Sequence, residues 1–238
     1  MKIEENFRLE IIVVDDDSPD GTAEQVSDLA HTQTKIRLIR RVGRSGLASA
    51  IKEGLLDAIG DIAVSMDCDG QHEPSTVRDA IHALIGQNKD LIIGSRFHPQ
   101  ACIKGLSTSR ETGSNLANRI ARYSLHKNYS NLTAYMSGFF VIRLNETTLP
   151  TIRGVEVNGF KFLYELLSVS KGRIEAGEVP LNFQSRASGE SKIDLSIFWD
   201  FLISALHTLT LRVLPRRAIS FGIVGASGFL VQLITTFI

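Results

Sequence analysis

The sequence of 238 residues has few cysteines, one tryptophan and no net formal charge. The two cysteines, Cys68 and Cys102, have no metal-ligand spacing and follow no secretory leader, which excludes a thiolate metal site and a disulfide framework and predicts a reducing, cytosol-facing compartment. Lysine and arginine are spread along the chain, so the sequence does not indicate a nucleic-acid-binding surface. Charged residues are absent between positions 218 and 238.

Short apolar runs alternate with amphipathic stretches through the first part of the chain. The runs at 10–14, 35–40, 62–66 and 90–94 predict strands, and the stretches at 23–31, 47–59 and 74–85 predict helices. After position 96 the alternation becomes irregular, with helices expected at 109–125 and 160–170 and strands at 137–143 and 173–183. This pattern predicts an α/β domain with a mostly parallel sheet.

The predicted strand at 62–66 ends abruptly at two aspartates, Asp67 and Asp69. Residues two positions apart at a strand end project on the same side of the chain, so the two carboxylates repel unless a cation lies between them. A hard divalent ion, Mg²⁺ or Mn²⁺, brought by a phosphate-bearing substrate, is the expected occupant. The alternative is a strand end that is merely rich in turn-forming residues.

Charged residues also follow the other predicted strands. The aspartates Asp16 and Asp17 come after the first strand, Arg44 follows the second and Arg96 follows the fourth. In open α/β sheets, ligands bind beyond the carboxyl ends of the strands. We therefore expect these residues to converge with Asp67 on one ligand-binding edge, which favours a site over a chance pair of aspartates.

Two later segments add polar and cationic residues. The predicted helix at 109–125 carries Arg110, Ser114 and Asn118 on neighbouring turns, and a polar loop at 184–192 contains Arg186 and Lys192. A flexible cationic loop near such an edge suits phosphate capture. An ordinary solvated loop is the alternative.

The C-terminal part of the chain has the pattern of a membrane attachment. Residues 193–214 place apolar side chains at helical spacing, interrupted by Asp200, His207 and Arg212, which predicts an amphipathic helix at a membrane surface, with packing against the domain as the alternative. Residues 218–238 provide about the 20 apolar residues that a bilayer crossing needs. Arg216 and Arg217 precede this stretch and predict a cytoplasmic start.

The order and spacing of the motifs resemble the family 2 glycosyltransferases of the dolichyl-phosphate mannose synthase type. From residue 216 onward the chain also resembles the beginning of a GtrA-like membrane domain, cut off by the end of the sequence. The motifs that carry the main resemblance are VVDDDSPDGT at 13–22, RSGL at 44–47, MDCDGQH at 66–72, GSR at 94–96, SGFF at 137–140 and RASGESK at 186–192.

This resemblance implies a GT-A, Rossmann-like fold and metal-dependent transfer of mannose, with inversion, from GDP-mannose to dolichyl or polyprenyl phosphate. It implies that Mg²⁺ or Mn²⁺ is held by Asp67, Asp69 and Gln71. It also implies roles for further residues. The catalytic set would be Asp69, Arg96, Arg110 and Arg186, and the substrate-binding set would be Asp16, Asp17, Arg44, Ser114 and Lys192, with Asp16 on the nucleoside.

The resemblance divides the chain into a catalytic domain at 1–192, a membrane-surface helix at 193–214 and a first transmembrane helix at 215–238. Members of the family begin with a further strand carrying a Pro-x-Tyr-Asn-Glu-like motif, which this sequence does not contain. Three alternatives stay open: transfer of glucose from UDP-glucose, an inactive membrane-docked fragment, and a soluble transferase acting on polysaccharide.

Overall fold

The computed structural model describes residues 7–68, 74–101, 108–157, 161–181, 195–210 and 212–236, and at 108–115, 195–198 and 230 only the backbone is described. Strands and helices are numbered in chain order. The strands are β1 (Ile11–Asp15), β2 (Ile36–Arg40), β3 (Ile62–Ser65), β4 (Leu91–Ser95), β5 (Phe140–Arg143) and β6 (Ala176–Pro180). The helices are α1 (Thr22–Thr32), α2 (Leu47–Asp57), α3 (Pro74–Gly86), α4 (Thr108–Ser124), α5 (Thr148–Gly154), α6 (Phe162–Ser170), α7 (Leu195–Leu209) and α8 (Arg216–Thr236).

The described strands form two sheets. Strands β1 and β2 pair in parallel, and the second sheet has the order β3-β5-β4-β6, with β4 and β6 parallel and β5 antiparallel to both of its neighbours. Strands β3, β4 and β6 therefore run in one direction. Their carboxyl ends share an edge with the beginning of β5, and this arrangement places the candidate site.

The predicted α/β architecture is confirmed, but the strand pairings are mixed rather than mostly parallel. Strand β5 is the reason, because it lies in the middle of the second sheet and runs antiparallel to both of its neighbours. Its residues Phe140, Val141 and Ile142 are fully buried. A strand covered on both faces is apolar throughout whichever way it runs, so its composition does not reveal its direction.

Two apolar cores cover the two faces of the second sheet. Leu91 and Ile93 of β4 belong to the larger core, while Ile92 belongs to a smaller core with Val77 and Leu84 of α3. This division follows the alternation of side chains along a strand. With both faces covered, only the strand ends are left to present polar groups to a ligand.

Most predicted elements lie within a few residues of the observed ones, while α5 and a single 3-10 turn at Lys127–Tyr129 were not predicted. Helix α5 is short and does not produce a clear helical repeat. Its start is fixed by Asn145, whose side-chain oxygen accepts hydrogen bonds from the backbone N–H groups of Thr147 and Thr148, each at 2.9 Å. Near α1, Asp20 similarly accepts the Thr22 N–H at 3.0 Å.

Helix α7 packs on the domain with one of its faces. Phe201 meets Tyr164 of α6 edge to face with ring centroids 5.3 Å apart, and Thr208 hydrogen-bonds to Ser168 at 2.9 Å. Trp199 and Leu209 lie on the exposed side. Packing against the domain is the alternative that the sequence left open for this segment, and a location at the membrane surface stays a prediction.

Helix α8 has an apolar composition and very little burial. Among the described residues, it is the one helix long and apolar enough to cross a membrane. Most of its described side chains are exposed, including Phe221 and Phe229, which are 82% and 64% exposed. A soluble core helix of this length would bury such residues, so its surface fits an apolar surrounding better than water.

Candidate active site

The end of β3 places Asp67 against the segment that leads into β5. The Ser65 hydroxyl donates a hydrogen bond to the Gly138 carbonyl at 3.1 Å. A Cβ atom at position 138 would lie 3.3 Å from both carboxylate oxygens of Asp67. Glycine therefore leaves the space that the Asp67 carboxylate uses, and any side chain at 138 would press on it.

The end of β4 is fixed to the same segment. Ser95 is fully buried and its hydroxyl hydrogen-bonds to Thr133 at 2.6 Å, while Ser137 donates to the Gly94 carbonyl at 2.8 Å. Gly94 is itself required by close packing, because a Cβ there would lie 2.5 Å from the Phe139 ring. These contacts determine where the chain leaves β4, immediately before Arg96.

Glu178 of β6 orders the loop between Thr133 and Ser137. Its carboxylate accepts the backbone N–H groups of Thr133 at 2.7 Å and Ala134 at 2.9 Å, and the Thr133 hydroxyl at 2.8 Å. Charge-assisted hydrogen bonds of this kind are stronger than neutral ones. Residues of β3, β4 and β6 thus all form hydrogen bonds that hold this loop beside Asp67.

Arg96 follows β4 directly, as predicted. Its guanidinium lies over the ring of its neighbour Phe97, 5.1 Å from the centroid. Burial lowers the pKa of Arg96, since a desolvated guanidinium is less well stabilised than one in water. A partly desolvated arginine at a sheet edge is well suited to an anionic ligand.

A second cation, Lys161, reaches the same edge. It precedes α6, and the next residue, Phe162, stacks on Phe140 with centroids 5.9 Å apart and 12° between the planes. Burial lowers the pKa of Lys161; the charge of Arg96 acts in the same direction and that of Asp67 opposes it. The sequence analysis missed this residue, because it stands outside the charged motifs that follow the strands.

At the end of β1, Asp16 is bound by a buried arginine. Arg41 is 1% exposed, and its Nε donates to Asp16 at 2.6 Å while its other nitrogens donate to Ser49 and the Gly46 carbonyl. The second Asp16 oxygen accepts the Gly46 N–H at 2.7 Å. Asp16 thus stabilises the loop before α2. Its predicted contact with the nucleoside stays a prediction, and the carboxylate has further lone pairs that could accept hydrogen bonds from a ligand. Arg41 was also missed by the sequence analysis.

The other two described residues of the predicted binding set form ion pairs close to β2. Asp17 contacts Arg40 at 2.6 Å and has a left-handed backbone, with φ of 59°. Arg44 forms two 3.1 Å hydrogen bonds with Glu53 of α2. Both pairs are exposed to solvent, where such pairs contribute little to stability and exchange readily for ligand contacts.

The remaining predicted site residues lie where the structure gives no side-chain geometry. Arg110 and Ser114 belong to α4, with only the backbone described, and four residues lie outside the described ranges: Asp69, Gln71, Arg186 and Lys192. Of the predicted metal ligands, Asp67 alone is described. Within the described ranges no group of three His, Cys, Asp or Glu side chains could hold a metal ion.

The described geometry brings one carboxylate and two cations to the same edge of the sheet. Asp67 supplies a carboxylate for a hard cation, and Arg96 and Lys161 supply positive charges in a partly desolvated setting. Such a combination suits a phosphate group that arrives with a divalent ion.

Comparison with known proteins identifies the class to which this fold and site belong. Residues 3–146 match the family described as glycosyl transferase family 2, and the chain therefore belongs to that family. Within it, the chain is similar to the dolichol-phosphate mannosyltransferase of Pyrococcus furiosus, 35% identical over 230 residues that cover 96% of this chain and 63% of that protein. The corresponding enzyme of Saccharomyces cerevisiae is 34% identical over 200 residues, covering 82% of this chain and 72% of the yeast protein.

The chain spans slightly less than two thirds of the archaeal relative. Among solved structures, it is similar to glucosyl-3-phosphoglycerate synthase from Mycobacterium tuberculosis in complex with Mn²⁺, UDP-glucose and phosphoglyceric acid. The TM-score is 0.57 at 17% identity, covering 84% of this chain and 68% of that one. At this identity the likeness concerns the fold alone, and with the family match it confirms the predicted GT-A fold.

Proposed function

We propose that the chain transfers mannose from GDP-mannose to dolichyl or polyprenyl phosphate, with inversion at the sugar and with a divalent cation. The main support for the proposal is that Asp67, Arg96 and Lys161 lie together at the carboxyl ends of β3 and β4. The similarity to two dolichol-phosphate mannosyltransferases supports mannose as the sugar and a lipid phosphate as the acceptor.

Mg²⁺ or Mn²⁺ would be held by Asp67 together with Asp69 and Gln71. The residue types fit, because carboxylate and amide oxygens are the ligands that hard cations prefer. The space beside Gly138, which a Cβ would fill, leaves the Asp67 carboxylate room to turn toward an ion. When bound, the ion would neutralise charge on the leaving diphosphate. The mycobacterial fold neighbour was solved with Mn²⁺, which supports a divalent cofactor.

The chain's own residues would carry out the remaining work by positioning and charge neutralisation. A phosphate monoester is already anionic, so its attacking oxygen needs little help from a base. The protein must instead bring an anionic acceptor next to an anionic donor, and Arg96, Arg110 and Arg186 would offset that repulsion. Asp16, Asp17 and Arg44 would contact the donor, and Ser114 and Lys192 would add hydrogen bonds to phosphate.

The C-terminal helices are consistent with an acceptor that resides in the membrane. Helix α8 would cross the membrane as the start of a GtrA-like domain, with Arg216 and Arg217 on the cytoplasmic side beside the catalytic domain. Helix α7 would lie near the membrane surface through its exposed side, which includes Trp199 and Leu209.

The proposal is tested by transfer of radiolabelled sugar to a short polyprenyl phosphate in detergent. GDP-mannose and UDP-glucose are compared, each with Mn²⁺ and with a chelator. We expect mannosyl lipid that disappears with chelator and in the variant Asp67→Asn. The matched control is Asp61→Asn, an exposed aspartate just before the same strand, which should keep full activity.

Each other result has a definite meaning. Glucosyl lipid would keep the chemistry and replace the donor with UDP-glucose. Mannosyl transfer that persists with chelator would contradict the metal dependence. A chain that transfers neither sugar and binds neither GDP nor UDP with Mn²⁺ would be a non-catalytic membrane-docked protein.

A further inference from the structure

Lys161 is a half-buried cation for which the described part of the chain provides no hydrogen-bond or ion-pair partner. Its backbone is engaged, since its carbonyl accepts the Glu165 N–H in the first turn of α6 at 3.2 Å. The stacking of Phe162 on Phe140 fixes the position of this turn relative to β5. Lys161 is thus attached to the rigid core although its charged end is not paired there.

The surroundings of Lys161 make its charge costly. The charge of Arg96 repels that of Lys161, and among the described residues Asp67 supplies the opposing negative charge. Asp67 is also the one predicted metal ligand that lies within the described residues. A bound cation would neutralise its negative charge, which would then no longer offset the two cations. A desolvated ammonium that lacks a matching anion among the described residues lowers stability, so a lysine such as Lys161 is retained where a ligand supplies the negative charge.

We infer that Lys161 is a substrate-binding residue whose ammonium donates to a phosphate oxygen of a substrate, beside Arg96. This inference rests on the proposed function for the nature of its ligand. The shared chemistry is a phosphate oxygen, and it has two sources: the diphosphate of the nucleotide sugar and the phosphate of the lipid acceptor.

The main variant is Lys161→Met, which keeps the aliphatic length and removes the charge. Lys161→Arg keeps the charge with a different geometry. Lys127→Met is the matched control, because Lys127 is an exposed lysine next to α4 and away from this edge. Each variant of the 238-residue chain is purified in detergent, and its thermal unfolding midpoint is measured beside its transfer kinetics.

We expect Lys161→Met to lower kcat/KM by about ten- to hundredfold, the effect of losing one hydrogen bond between charged groups. Its unfolding midpoint should be unchanged or higher, because an unpaired desolvated ammonium has been removed. Lys161→Arg should lose less activity than Lys161→Met, and Lys127→Met should match the unmodified chain. A fall in activity that parallels a fall in the unfolding midpoint would overturn the inference, since it would indicate a purely structural role.

Two binding measurements separate the two sources of phosphate. Titration calorimetry with GDP and Mn²⁺ reports the donor side, and titration with a short polyprenyl phosphate reports the acceptor side. Weaker GDP binding in Lys161→Met assigns the residue to the donor, and weaker polyprenyl phosphate binding assigns it to the acceptor. Unchanged affinities together with unchanged kcat/KM would overturn the inference.

These measurements also distinguish the inference from the proposed function. If the unmodified chain transfers no sugar, the proposed function fails, while a loss of GDP or polyprenyl phosphate binding in Lys161→Met would still support the anion contact. If the unmodified chain transfers mannose and Lys161→Met does so equally well, the function stands and the inference is wrong.

Discussion

The carboxylate of Glu165 in α6 accepts a hydrogen bond from Arg216, the first residue of α8, at 2.7 Å. The Glu165 side chain is only 3% exposed, and Arg212 approaches its other oxygen at 3.5 Å. Glu156 lies 3.4 Å from both arginines. These ion pairs join the apolar C-terminal helix to α6, the helix that begins next to Lys161.

Replacing Glu165 with glutamine should destabilise the protein by about 3 kcal/mol, because both arginines would lose their buried counter-charge. The measurement is denaturant unfolding of the detergent-solubilised chain. The matched control is Glu175→Gln, which breaks an exposed pair with Lys89 and should cost less than about 1 kcal/mol. Equal effects for the two variants would contradict a structural role for the buried pair.

Replacing Gly138 with alanine should weaken metal-dependent activity with little loss of stability. The new Cβ would lie 3.3 Å from both Asp67 oxygens and would restrict how the carboxylate can turn. We expect the Mn²⁺ concentration for half-maximal transfer to rise by about tenfold, the effect of roughly 1.4 kcal/mol.

The control for this variant is Gly86→Ala at the end of α3, where a Cβ would meet nothing within 4 Å. It should leave the Mn²⁺ requirement unchanged and stabilise the helix by up to about 1 kcal/mol. A normal Mn²⁺ requirement in Gly138→Ala would count against Asp67 as a metal ligand.

Replacing Arg41 with lysine should destabilise the protein by about 2–4 kcal/mol. A lysine cannot reproduce the simultaneous hydrogen bonds to Asp16, Ser49 and the Gly46 carbonyl, and its ammonium would occupy a buried position with fewer hydrogen-bond partners than the guanidinium has. The measurement is the free energy of unfolding in urea. Arg44→Lys, which alters an exposed pair in the same loop, should change it by less than about 1 kcal/mol.

Ending the chain after Arg217 should release it from membranes, because this truncation removes the apolar part of α8 and keeps Arg216 on Glu165. The measurement is the fraction of protein that stays with membranes after alkaline carbonate extraction. The full chain should remain in the pellet. Continued retention of the truncated chain would show that α7 or another surface is sufficient for attachment.

The sequence by itself determined the features that depend on neighbouring residues. Apolar runs bounded by polar turns determined strands β1, β3 and β4 to within a residue at each start and end, and so they also determined that Asp16, Asp67 and Arg96 follow strand ends. The spacing of short motifs determined the family, which the match over residues 3–146 confirms. Such signals are local, because a strand end and its turn are encoded by adjacent side chains.

The tertiary structure decided what depends on residues far apart in the chain. The direction of β5 could not be predicted, because burial on both faces makes a strand apolar in either direction. The burial of Arg41 depends on Asp16 and Ser49, and the location of Lys161 depends on the stacking of Phe162 on Phe140. In the sequence, each of these cations is one of many lysines and arginines. Tertiary packing decides which of these cations is desolvated and lies next to another charged group. For this reason the structure identified Arg41 and Lys161, which the sequence motifs did not reveal.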